Sequence, residues 1–589
     1  MKKIIILLIA SLVVLTSCDL DETPYRTNAD QLATDPNGAE QLVTGIYSNF
    51  WTSYMMKKTY QEWIDMDHDL SAAPDWVVSS AGSGNVVGHW GYNGDADLFK
   101  VFYTIISRCN NAKAALEQAN ISDPQIGQRY GEVMFLRAFS YFHLVRMYGP
   151  VPLRLEVVTP DNVARSSIAD VYQVITNDLI EAIKYLQYPS SGYVGEWGHA
   201  DRTAARILLA RVYCTMASGK LAGSGVPMNV NIMNQSGQNT RYPNAPLVLT
   251  GFTTRKVMGE NMDDGYSVFD AQALYKLAIE QCDSVINRRG IDFDLLPSWG
   301  NVWGSTNYRN REFVWGIASY DLSDYRADGG SYYYTPAWVG GGGYAITLSD
   351  ACWKMYSYDN NAAVNDERTT IGVYHYYKNA GGNDGAEAGR QWYRFPSGDT
   401  RYSQPYDNLK PHPDSSLVID GPPVAGYREN AYITKWYFGD INNIKAVYPD
   451  GRYQGEGQIK QDIIFIRFAE IYLLRAEALN EIGREPEALA DLNIVRGRVK
   501  AKPYATTDRT ELRSWIFQER GLEFTQEFMR KFDLLRWGMY LNVMNATQAI
   551  VNNSGQSISL VREPKSVLYA VPTAEVQQNK LFGPNNPGY

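Results

Sequence analysis

The sequence predicts a mainly α protein: a tetratricopeptide-like helix-pair scaffold that carries a loop-rich insertion of mixed structure. Two observations carry this. Apolar residues recur at helical spacing in segments that come in pairs, with alanines inside the apolar stripe, and a single pair cannot bury its stripe alone. Between Gly290 and Gln461 the periodicity stops, and Gly, Tyr, Trp, Asn and Asp take over, the composition of turns and loops.

In chain order, Lys2 and Lys3 precede an apolar run from Ile4 to Leu15, which ends in Leu15-Thr16-Ser17-Cys18. The run falls short of the about 20 residues needed to cross a hydrocarbon core, so residues 1–17 read as a removable signal peptide. The small residues before Cys18 fit a lipobox, in which the cysteine is acylated and opens the mature chain. This predicts a lipid anchor at Cys18; the alternative is an ordinary secretory signal with an incidental cysteine.

A helix from Leu98 to Ala119 follows, then a pair joining Val133–Tyr148 to Val171–Leu186. Ala204, Leu208, Val212 and Met216 form one row at four-residue spacing and Ala205, Leu209 and Tyr213 the next, so this helix buries a broad face. Its partner runs from Gln272 to Arg288, after an irregular stretch from about Gly219 to Gly265. The clearest pair comes last: Phe468 to Leu479, then Glu487-Ala488-Leu489, Leu492 and Val495, with Gly483 ending the first helix. The resulting division is 18–290, a loop-rich 291–460 that would bind ligand, and 461–589.

With 589 residues, 45% hydrophobic and 20% charged, the chain can bury a large core. A net charge of -9 argues against a nucleic-acid partner, which needs a basic footprint. The cysteines after Cys18 (Cys109, Cys214, Cys282, Cys352) lie far apart, with no metal-finger spacing, and read as small buried thiols. The chain is rich in rings, with 42 Tyr and 14 Trp, side chains suited to contact surfaces that stay soluble.

Several blocks resemble the SusD/RagB glycan-binding lipoproteins of Bacteroidetes. They are Leu136-Arg137-Ala138-Phe139-Ser140-Tyr141-Phe142, Tyr148-Gly149-Pro150-Val151-Pro152-Leu153, Ala200-Asp201-Arg202-Thr203-Ala204-Ala205-Arg206 and Arg467-Phe468-Ala469-Glu470. Glu519-Arg520-Gly521-Leu522-Glu523-Phe524, Asp533-Leu534-Leu535-Arg536-Trp537-Gly538 and Val571-Pro572 continue the family order. Asp19-Leu20-Asp21-Glu22 after Cys18 looks like the surface-export signal of such lipoproteins. The resemblance implies a helix-pair fold seated as a lid on a SusC-like TonB-dependent outer-membrane transporter, held by acylated Cys18 in the outer-membrane lipid. It implies capture of oligosaccharide or polysaccharide, no cofactor and no catalysis. The shared blocks lie on scaffold helices, and the ligand loops match nothing that carries over.

Sugar rings lie on Trp and Tyr faces while Asn, Asp, Gln and Arg match their hydroxyls. The stretch Trp299–Arg311, with Trp299, Asn301, Trp303 and Tyr308, has that mixture; the alternative is that Trp299 and Trp303 plug the core. A second candidate region holds Asp65, Trp76 and Trp90, and a third holds Trp338 beside Tyr332-Tyr333-Tyr334, where strand formation competes. Asp65-Met66-Asp67-His68-Asp69 invites a calcium reading, but Leu70 and Trp76 stand where an EF-type loop needs Gly and Glu, so no metal is expected. Arg137, Arg146, Arg202, Arg206, Arg467, Arg475 and Glu477 read as structural, pairing with carbonyls at helix ends or with acids across the groove. Nucleophile elbow, HExxH, P-loop and dinucleotide motifs do not occur. A glycosidase's paired carboxylates leave no trace in sequence, so a surface glycosidase stays open beside the binder, as does a transporter lid for peptide or another nutrient.

Overall fold

The computed structural model describes residues 32–51, 59–65, 67–72, 97–195, 197–232, 247–250, 265–303, 309–317, 347–348, 352, 366–370, 373–378, 390–393, 429–433, 435, 463–546, 549–551, 557–559 and 562–589. The helices begin where the sequence supplies a cap. Asp35 accepts the amides of Asn37 and Gly38 to start α1 (Pro36–Tyr47), ahead of a short α2 (Thr59–Asp65) and β1 (Ser71–Ala72). After α3 (Asp97–Gln118), Asp123 caps α4 (Pro124–Tyr148), with proline in the first turn where a missing N–H costs nothing. β2 (Val151–Pro152) and β3 (Arg165–Ser166) pair with each other and lead to α5 (Ile168–Tyr185), capped by Ser167. Asp201 caps α6 (Arg202–Ser224), and after the β4 (Asn229–Ile232) and β5 (Leu247–Thr250) ribbon Asp270 caps α7 (Ala271–Ile286).

These helices pack in spatial sequence: α3 on α4, α4 on α5, α5 on α6, α6 on α7. The stack continues through α9 (Ala469–Glu481), which covers α7, and its partner α10 (Glu485–Arg498). Gly483, at φ +88°, makes the turn between α9 and α10, a conformation strained for a side-chain-bearing residue. The close approach of α4 and α5 depends on Gly131, where a Cβ would stand 2.8 Å from Leu186 Cγ. Ala204, Ala205, Leu208, Leu209 and Val212 are all buried, as the two-row stripe predicts. The four cysteines are buried free thiols.

The loop-rich segment leaves and returns through one pair of strands. β6 (Phe313–Ile317) pairs antiparallel with β11 (Ile463–Arg467), and both are wholly buried. Between them lie β7 (Thr347–Leu348), α8 (Glu367–Thr370), β8 (Val373–Lys378), β9 (Arg390–Tyr393) and β10 (Glu429–Ile433). These strands form a five-stranded sheet in the order β1-β7-β10-β8-β9. Its edge, β1, comes from far upstream, with Ser71 opposite Leu348. Asp508 then caps α11 (Arg509–Glu523), followed by α12 (Arg530–Arg536), α13 (Tyr540–Ala546), the hairpin of β12 (Ala549–Val551) and β13 (Ser557–Ser559), and α14 (Thr573–Gln578). Among the described residues no helix is long and apolar enough to cross a membrane.

One cap titrates unusually. Asp201 is 2% exposed, and burial pushes its carboxyl up to about 7 despite the bonds it accepts from the Ala204 and Thr203 amides. A raised acid holds a proton in the folded state that the unfolded chain has lost, so stability is fully present near pH 4 and falls as pH rises to 7. Asn caps as well as Asp without the charge. Asp201→Asn is therefore expected to stabilise the protein at pH 8 by on the order of 2–4 kcal/mol, with the gain shrinking toward pH 4 in chemical denaturation.

Candidate functional site

The root of the Trp299 stretch is a 3-10 turn, Trp299–Asn301, set on α8. Glu367 accepts the Trp299 amide at 2.6 Å and the Ser298 hydroxyl at 2.8 Å. The Trp299 and Trp303 rings lie 6.2 Å apart, and Trp303 packs on Phe313 at 5.4 Å. Lys435 Nζ and Arg467 Cζ each stand 5.2 Å from the Trp303 ring. Both indoles are 0% exposed, which corrects the ligand-stacking assignment: Trp299 and Trp303 plug the core and offer no face to a sugar. The physical reason is that indoles this large are buried wherever a strand pair such as β6–β11 leaves room beneath a loop. Asn301 is exposed beside them. Trp303→Ala is accordingly expected to cost about 3–5 kcal/mol of stability, read as a lower denaturation midpoint.

Asp65 is corrected too. It is fully buried and accepts the Phe528 amide at 3.1 Å, at a turn where Gln526 and Phe528 take φ of +57° and +62°. Its neighbours are likewise committed: Asp67 binds Lys531 at 2.8 Å, Arg562 at 2.9 Å and the Tyr540 hydroxyl, and Asp69 binds Arg530 at 2.8 Å. The acidic run thus ties the N-terminal part to α12 and the C-terminal segment, and no group able to hold a metal ion occurs among the described residues. Trp76, Trp90, Tyr308 and Trp338 lie outside the described residues.

Beneath the loop-rich segment lies a buried ionic network absent from the sequence reading. Arg467 binds Glu312, Glu523 at 2.8 Å and Glu527 at 2.9 Å, while Arg498 bridges Glu312 at 3.2 Å and Glu523. Arg368, just ahead of β8, binds Asp366 at 2.8 Å and Glu519 at 2.6 Å, and Arg496 binds Glu519 at 2.7 Å. Lys435, just after β10, binds Glu527 and donates to the Glu523 and Thr525 carbonyls. Five cations (Arg368, Lys435, Arg467, Arg496, Arg498) thus meet five carboxylates (Glu312, Asp366, Glu519, Glu523, Glu527). Burial alone would raise the Glu523 carboxyl, but Arg498, Arg467 and Arg368 hold it down at about 2. Every acid here is paired with a cation. The network rivets the sheet to α10 and α11. One signal pointed to it: Glu519, Glu523 and Glu527 recur at four-residue spacing.

The helix-stripe arginines otherwise pair as expected. Arg137 binds Asp178 at 2.7 Å, Arg202 donates to the Leu186 carbonyl, Arg475 binds Asp491 and Asp283, and Glu477 receives Arg536, whereas Arg206 meets the side-chain amide oxygen of Gln281 in place of a helix-end carbonyl or an acid. Arg146 differs, as described below.

A helix-pair stack interrupted by a loop-rich sheet insertion between two core strands defines the class, a rigid scaffold presenting loops. Residues 20–214 match the family model described as "Starch-binding associating with outer membrane", and residues 311–589 match the one described as "SusD family". "SusD-like protein P2" of Formosa agariphila is 23% identical over the full length of both chains. A SusD homolog from Bacteroides thetaiotaomicron shares the fold at a TM-score of 0.62 and 18% identity, covering 98% of this chain and 99% of that one. A structure named "Laminarin binding SusD-like protein" does so at 0.56 and 18%, covering 94% and 100%. The chain belongs to the SusD/RagB family of outer-membrane-associated glycan-binding proteins.

Proposed function

We propose that this protein captures oligosaccharide at the cell surface, anchored in the outer-membrane lipid through acylated Cys18, and delivers it to a SusC-like TonB-dependent transporter without cutting it. The observation that carries this reading is the ordered match to two models of one family, one of them described as starch-binding and associated with the outer membrane. The frame supports it further: a sheet tied to the helices by buried ion pairs is a fixed base for a binding site, which lowers the entropy cost of binding. Ring stacking is worth about 1–3 kcal/mol per base in nucleic acids, and a sugar gains no more, so several aromatics must act together. Trp76, Trp90, Tyr308 and Trp338 remain the proposed aromatics, with Asn301 as a polar contact.

Affinity electrophoresis on polysaccharide gels tests the reading. Retention by at least one glycan, weakened in Trp76→Ala, is expected, with no release of reducing sugar. Detergent pull-down is expected to bring down the transporter. Binding of peptides with no glycan retained, or reducing-sugar release, would overturn it.

A further inference from the structure

Arg146, on the last turn of α4, has no carboxylate partner, unlike Arg137, Arg467 and Arg475, and its guanidinium is enclosed between two aromatic rings. Among the described residues no carboxylate lies within ion-pair distance of it. Its surroundings fix which of its hydrogens are in use. His143 Nδ1 lies 2.9 Å from the Phe139 carbonyl oxygen, which can only accept, so Nδ1 carries the hydrogen and Nε2 is the acceptor. Nε2 takes bonds from the Tyr60 hydroxyl at 2.8 Å and from Arg146 Nη2 at 3.1 Å. Arg146 Nε donates to the Phe142 carbonyl at 3.2 Å. Both acceptors are neutral: burial, with the Arg146 charge alongside, holds His143 well below its ordinary range.

A guanidinium carries five N–H groups. Two are engaged here, which leaves the second on Nη2 and both on Nη1. The rings of Phe142 and Phe532 pack on the guanidinium carbon at 3.9 and 3.7 Å, so its approach is edge-on. Arg146 is only partly buried, and its Nη1 is not among the enclosed, unpartnered atoms, so Nη1 reaches solvent. The nearby Arg211 is a like charge, itself paired with Glu470. Burial lowers Arg146 only to about 10, so it stays charged at neutral pH.

We propose that the open Nη1–Nη2 edge of Arg146 is a recognition site for a carboxylate, and that the carboxylate is that of an acidic monosaccharide, a uronate. The edge matches the two oxygens of a carboxylate in the bidentate geometry that a lysine cannot reproduce. That the ligand is a sugar rests on the function proposed above; that the edge takes a carboxylate does not.

The purified protein is treated with phenylglyoxal, which attacks accessible guanidinium groups, and labelling at Arg146 is followed by peptide mass spectrometry. Labelling is expected, slowed by saturating glucuronate and unchanged by glucose. Calorimetric titration of Arg146→Lys with glucuronate is expected to show affinity at least about tenfold weaker, since the charge remains and the planar fork does not. Unchanged labelling with both glucuronate and acetate, or equal affinity in Arg146→Lys, overturns the site. Protection by acetate alone overturns the assignment to a sugar. Should the lysine variant fail to fold, the protection of the wild-type side chain decides. Glucuronate protection in a protein that retains no glycan on the gels, neutral or acidic, would instead sink the proposed function and leave the Arg146 site standing.

Discussion

Arg467→Met is expected to destabilise the protein by about 3–5 kcal/mol, the loss seen when one partner of a buried ion pair is removed and the others are left uncompensated. Arg467 is 1% exposed and holds Glu312, Glu523 and Glu527 at once, so its loss takes one cation from each of three buried carboxylates. Chemical denaturation at pH 7 reads the effect. Arg467→Met combined with Glu523→Gln should cost less than the sum of the two, because the second change removes a charge that the first deprived of a partner. The sign of the pH dependence follows from Glu523. Its folded carboxyl is held at about 2, below the ordinary glutamate value, so its contribution is present above pH 4 to 5 and is lost as pH falls toward 2. In Arg467→Met the carboxyl loses one of three guanidinium neighbours, so that loss should begin at higher pH. Additive effects in the double variant would contradict the network.

Cys18→Ala is expected to move the protein from the outer-membrane fraction to the soluble fraction and to abolish incorporation of labelled palmitate. The expectation rests on the proposed anchor. A buried methylene contributes about 0.8 kcal/mol, so acyl chains supply enough to hold a large domain at a membrane while a bare cysteine supplies nothing comparable. Fractionation with and without detergent distinguishes the outcomes. A variant still pelleting with the membrane and released only by detergent would overturn lipid anchoring through Cys18.

The helix pairs were legible because their signal is local. Alternation of Ala204, Leu208 and Val212 with Ala205 and Leu209 reports a face that must be covered, whatever covers it. Gly483 and the aspartate caps mark ends by backbone conformation and by amides without partners, both written within four residues. The helix α1 was missed, although Asp35-Pro36 opens it with the same cap-and-proline signal. The site was less legible. Trp299 and Trp303 looked like sugar platforms because a tryptophan in a polar, glycine-containing loop reads the same whether its ring faces water or the core.

The sequence by itself determined the stack of paired helices and the family, since each is written in short-range pattern and in block order. Only the tertiary structure decided how charge is settled. Ser71 reaches Leu348 to finish a sheet, Asp69 reaches Arg530, and Arg368 reaches Glu519, all across long stretches of chain. The physical reason is that an ion pair or a strand edge is satisfied by whatever the fold brings within a few ångströms, and no local periodicity encodes that meeting. The same reason leaves Arg146 indistinguishable from its neighbours in sequence, although in space its guanidinium lies between two phenylalanine rings and meets neutral acceptors, while Arg137, Arg467 and Arg475 meet carboxylates.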